Sequence, residues 1–77
     1  MIHELKIQPK YFKAVKWGIK KFELRKDDRN YKVGDLIVLR EYKNGEYTGK
    51  EIKKLIWYIL RNCPEYGLKE GYCILGF

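Results

Sequence analysis

Seventy-seven residues with twelve aromatic side chains read as one small domain with a thin core. The formal net charge is +7, and no run of about 20 apolar residues exists, so no membrane-spanning helix is expected. The charge is uneven: residues 1–32 carry ten Lys/Arg against four Asp/Glu, and residues 33–77 carry seven against six. Clustered positive charge is the footprint of a polyanion partner, and the plainer reading is solubility, which a net charge of this size also serves.

Residues 2–7 alternate as a first strand, with His3, Leu5 and Ile7 on one face and Ile2, Glu4 and Lys6 on the other. His3 shares the apolar face, which favours a satisfied core histidine over a catalyst. The opening Met-Ile-His-Glu-Leu-Lys lacks a basic segment followed by an apolar stretch, so no secretory signal is expected and the chain reads as cytoplasmic. Pro9 suits the first turn of a helix running to about Trp17, with Gly18 as its left-handed cap. On that helix Tyr11, Phe12, Val15 and Ile19 gather on one side. Trp17 falls with Lys10 and Lys13, where it would stack on a base or close the helix end.

Lys21 to Lys26 alternate as the second strand. Phe22 and Leu24 are expected to face the core, with Lys21, Glu23 and Arg25 on the opposite face. A carboxylate between cations would remain a charged acceptor that reads an amine or ring N–H, rather than a general acid. Lys20 and Arg25 would hold phosphate or a carbonyl-rich base edge, Arg25 with planar two-pronged geometry. The plainer alternative is that Glu23 and Arg25 simply pair.

Asp27 to Lys32 read as a polar loop, in which Arg29 would cap the turn or, should a cleft open beside the second strand, close over it. Tyr31 to Asp35 form a turn into a third strand, Leu36 to Lys43, whose continuous apolar run predicts cover on both faces. Asn44-Gly45 is a type I′ hairpin signal. It leads to a long fourth strand, about Tyr47 to Leu60, with a bulge or bend near Lys53-Lys54. Trp57 and Tyr58 should point to opposite faces, placing one of them in the core. Residues 61–71 form a loop, and Tyr72 to Phe77 the last strand. Cys63 and Cys73 match no paired-thiol or zinc spacing and read as small hydrophobes, so no metal or cofactor is expected. The pattern is mainly β with one inserted helix (α+β). About five strands in a curved, mostly antiparallel sheet would close into a small barrel.

The run Gly18…Lys20…Glu23-Leu24-Arg25 followed by Val33-Gly34-Asp35 resembles the signature of ASCH domains, within the PUA-like superfamily. With His3-Glu4-Leu5-Lys6-Ile7, Asp28-Arg29, Tyr47-Thr48-Gly49 and Gly71-Tyr72…Ile74-Leu75-Gly76 it is similar to a small bacterial and phage subfamily, over nearly the whole chain. The resemblance implies a single PUA-like domain over residues 1–77, a pseudo-β-barrel with a cleft beside the first helix. It implies RNA or nucleotide binding there, with Lys20, Lys21, Glu23, Arg25, Arg29 and Trp17 as the candidate contacts. One ASCH branch resembles an amidohydrolase of acetylated cytidine that uses a Lys and a Thr in this segment. Lys20 matches that Lys, and Glu23 stands where that Thr would be. That branch's nucleophile is thus missing here, and the alternative function is a small hydrolase, amidohydrolase or ribonuclease, acting on a modified nucleoside or RNA with Lys20 and Glu23 as base and acid. A monomer is assumed.

Overall fold

The computed structural model describes residues 1–77. Six strands and one helix follow in order: β1 (Ile2–Ile7), α1 (Pro9–Lys16), β2 (Phe22–Lys26), β3 (Leu36–Lys43), β4 (Glu46–Leu55), β5 (Tyr58–Leu60) and β6 (Tyr72–Gly76), with a short 3-10 turn at Pro64–Tyr66. The chain is thus mostly β with one helix inserted after the first strand.

β1 runs parallel to β3, in register from Ile2 opposite Leu36 to Ile7 opposite Glu41. Its alternation is realised: His3, Leu5 and Ile7 are buried, and Ile2, Glu4 and Lys6 are exposed. A parallel pair needs a crossover, and α1 begins it. Pro9 sits in the first turn, and Gly18, at a φ of 75°, ends the helix by returning its amide to Val15 at 3.0 Å. Phe12 and Val15 face the core. Ile19, expected on that side, lies past the helix end and is 81% exposed, because the cap turns the chain away.

β3 is apolar on both sides, and Ile37, Val38 and Leu39 are all buried. Asn44 and Gly45 both take positive φ, as a type I′ turn requires, and β4 returns antiparallel. The register slips between Arg40 and Tyr42 on β3, not at Lys53-Lys54. The expected single fourth strand is broken two residues later. Ile56 is wholly buried, its amide on Asp35 and its carbonyl accepting from Gly34, both at 2.9 Å. After it the chain leaves β4's sheet. The Trp57 amide donates to Gly76 at 2.8 Å, and β5 joins β6. Neither Trp57 nor Tyr58 enters the core; Ile56 takes that place.

The strands therefore form two three-stranded sheets, β1-β3-β4 and β2-β6-β5, and not one closed barrel. Between β1 and β2 no ladder forms. The outward carbonyls of Glu4 and Lys6 accept instead from the guanidinium groups of Arg29 and Arg25. One continuous core joins the sheets, with Leu5, Ile37, Leu39 and Leu75 against α1's Phe12 and Val15. Tyr31, placed by its neighbours in a polar loop, is buried there as well.

β2 also departs from the expected pattern. Glu23 is buried, whereas Phe22 and Leu24 are 46% and 55% exposed. The strand faces are inverted relative to the apolar-in expectation. The reason lies in the partners of Glu23.

Candidate functional site

Gln8, in extended conformation before α1, and the end of β1 stand beside β2. Between them opens a cavity of about 420 Å³. Its floor is Glu23. A buried carboxylate is tolerated only when its lone pairs are filled. Here Lys20 Nζ donates to Oε1, and Arg25 Nε donates to Oε2 at 2.8 Å. Lys20 reaches back because the chain between Gly18 and Phe22 is a short turn in which the Ile19 and Lys20 amides both bind the Ala14 carbonyl. Arg25 reaches Glu23 because residues two apart share a strand face. These bonds favour Glu23 inward over Phe22 and Leu24.

Each cation is fixed by a second contact. Lys20 Nζ donates to the Phe22 carbonyl at 2.7 Å, and Arg25 Nη2 donates to the Lys6 carbonyl. Lys20 Nζ also lies 4.9 Å from the Phe22 ring centre and 5.4 Å from that of Tyr11. Arg25 Nη1 makes no hydrogen bond within the fold. With Lys6, three cations and one carboxylate line the cavity, alongside Tyr11, Phe22 and Leu24. The result is a half-open hollow with a positive balance, rigidly aimed donors and aromatic walls. That combination suits an anion carrying a flat ring.

Of the six residues singled out from sequence, Lys20, Glu23 and Arg25 converge here. Lys21 is exposed and lies outside the lining. Trp17 is 73% exposed, also outside it. Arg29 is committed to the Glu4 carbonyl at 2.7 Å. Sequence reasoning missed Tyr11, Gln8 and Lys6. Tyr11 was legible only as part of the helix's apolar side; its 41% exposure puts it at the rim. Lys6 was legible only as an outward residue, and the position of β2 beside β1 makes that outward side the cavity.

A second polar cluster is structural. His3 Nε2 donates to Asp35 Oδ2 at 2.8 Å, the Lys32 amide adds a bond at 3.1 Å, and the N-terminal ammonium sits 3.2 Å from Oδ1. The hydrogen bond from His3, aided by the other two, holds the Asp35 carboxyl down to about 2. The His3 ring meets Tyr31 edge to face at 4.7 Å. This group anchors the turn before β3 and does not line the cavity. Cys63 and Cys73 are buried free thiols, and burial pushes the Cys73 thiol up to about 11. No three His, Cys, Asp or Glu side chains converge as a metal site, and no helix is long and apolar enough to cross a membrane.

A protein of Escherichia phage P2, named "Uncharacterized 12.9 kDa protein in GpA 3'region", is 46% identical to this chain over 55 residues. The match covers 71% of this chain and 50% of that protein, so the chain spans about half the length of this curated relative. The profile of a family described as a domain of unknown function, DUF3850, matches residues 2–77. The chain belongs to that family.

Proposed function

We propose that the chain is a recognition module of the ASCH type, PUA-like in ancestry, that binds RNA or a nucleotide in the cavity between α1, β1 and β2. The observation that carries this reading is the buried Glu23 holding Lys20 and Arg25 side by side at the floor. In the proposed complex Glu23 is a positioning residue, since its oxygens already serve the two cations. Arg25 Nη1 and Lys20 Nζ meet a phosphate or a base carbonyl, and Tyr11 and Phe22 flank the ring. The motif resemblance along the whole chain supports the same reading, as does the concentration of charge in residues 1–32.

The test is a binding titration with ribonucleoside monophosphates and short single-stranded RNA. Affinity should fall as salt rises, because phosphate contacts release counterions. Arg25→Ala and Lys20→Ala should each abolish binding in protein that remains folded at the assay temperature, although each takes a partner from Glu23 and lowers stability. Undiminished binding in both variants would remove the site.

A hydrolase reading draws on one observation, the direct contact of Lys20 with Glu23. No Ser, Thr or Cys lines the cavity, so such an enzyme would have to activate water itself. Incubation with acylated nucleosides and RNA, followed by product analysis, separates the two: turnover lost in Lys20→Ala would favour the hydrolase.

A further inference from the structure

Alternation sorts the side chains of β2, β6 and β5 onto two faces, and the register fixes which ones meet. Phe22 stands opposite Gly76, and Gly76 opposite Tyr58. Leu24, Ile74 and Leu60 form the next row, and Tyr72 faces Lys26 beyond it. This is the side turned away from the core. Phe22, Leu24, Tyr58 and Leu60 are all exposed, Tyr58 by 66%. The other side carries Glu23, Cys73 and Leu75, all buried. Four apolar side chains of one sheet face are therefore left largely to water, around the half-buried Tyr72 and Ile74 of the central strand, and such a patch marks a binding surface.

Its chemistry points to one occupant. Each of the three strands contributes one aromatic ring: Phe22, Tyr58 and Tyr72. Two of these rings have an ammonium close by, Lys20 Nζ at 4.9 Å from Phe22 and Lys69 Nζ at 5.6 Å from Tyr72. No acidic residue occupies a position on this face. Gly76 leaves a bare strip between Phe22 and Tyr58, which lie two strands apart, roughly 10 Å. A second copy would bring its own Lys20, Lys26 and Lys69 to this face with no acidic residue there to meet them. Finally, Phe22 and Leu24 belong both to this face and to the cavity wall, so the two surfaces are continuous.

We infer that the outer face of β2-β6-β5 is a track for a single-stranded nucleic acid, whose bases stack on the exposed rings while one nucleotide enters the Lys20–Arg25 cavity. The inference rests on the cavity being a nucleotide site and adds to it an extended, multi-nucleotide ligand. Base stacking on aromatic side chains is tolerant of sequence, so the track contributes affinity and the cavity contributes selection.

The experiment compares two probes on the full chain: the four common ribonucleoside monophosphates, and a mixed-sequence oligoribonucleotide of about eight nucleotides. Tyr58→Ala should weaken the oligonucleotide about tenfold and leave the mononucleotides unchanged. Tyr58→Trp, which keeps a stacking ring, should retain the parent affinity. Sedimentation of the unliganded chain should give one monomeric species. Oligonucleotide affinity undisturbed by Tyr58→Ala, with mononucleotides still bound, would overturn the track alone. A parent dimer that Tyr58→Ala dissociates would overturn it too, since the face would then be a self-contact. Failure of every mononucleotide to bind the parent would overturn the cavity reading, and the track with it.

Discussion

Arg25 reaches from β2 to the main-chain carbonyl of Lys6 in β1, nineteen residues earlier in the chain. It does so where no backbone ladder joins the two strands. The same guanidinium grips Glu23 through Nε. One side chain thus fastens the seam between the sheets and presents its remaining N–H groups to the cavity. Fold and site are coupled at this point.

Removing the carboxylate tests that coupling. Glu23→Gln keeps the shape but leaves two cations adjacent without their counterion. At 5% exposure this should destabilise the fold by about 1–3 kcal/mol. Chemical denaturation measures it. The double variant Glu23→Gln/Arg25→Ala should lose less than the two singles together, because both remove one interaction. Strict additivity would mean that the pair is not energetically coupled.

Arg25→Lys separates charge from geometry. Lysine keeps the positive charge and three donors, but all on one nitrogen, which cannot span Glu23 and the Lys6 carbonyl as Nε and Nη2 of Arg25 do and still aim a donor into the cavity. Nucleotide affinity should drop by about tenfold, the equivalent of one charge-assisted bond. Calorimetric titration checks it, and an unchanged affinity would show that charge alone suffices.

Asp35 should make the stability of the fold depend on pH in acid. Its carboxyl is held at about 2, against an ordinary value of 3.8. A lowered folded value means that the contribution is complete above about 4, is lost as pH falls toward 2, and is absent below both. Denaturant midpoints should therefore fall between those pH values more steeply for the parent than for Asp35→Asn. Parallel curves would show that the His3 contact carries no linkage.

Cys73 should be chemically silent in the folded state. Burial raises its thiol to about 11, and the residue is wholly inaccessible. In a Cys63→Ser background, thiol reagents at mildly alkaline pH should leave Cys73 unlabelled until denaturant is added, because the thiolate is the reactive form. Rapid native labelling would mean that the second sheet opens readily.

Much of this was readable in the residues. The period of two in residues 2–7, Pro9 and Gly18 around the helix, and Asn44-Gly45 are local signals, and each produced the element expected. The face of β2 was not readable. Hydrophobicity places Phe22 and Leu24 inside, but Lys20 and Arg25 draw Glu23 in, and the outer face keeps the apolar residues. The division into two sheets was also hidden. It depends on Ile56 bonding Asp35 and Gly34, partners more than twenty residues earlier in the chain. Tyr31 sat among charged neighbours that gave no hint of the His3 ring it packs on. Of the site, Lys20, Glu23 and Arg25 were legible because they cluster in sequence. Lys6 and Tyr11 join them only through tertiary packing.

The most direct measurement is a chemical-shift titration of the isotope-labelled chain with single-stranded RNA. Shifts should gather at Tyr11, Lys20 and residues 22–25, with the Arg25 side-chain N–H resonances among the largest. Shifts confined to other surfaces, with Lys20, Glu23 and Arg25 unmoved at saturation, would contradict the proposed site.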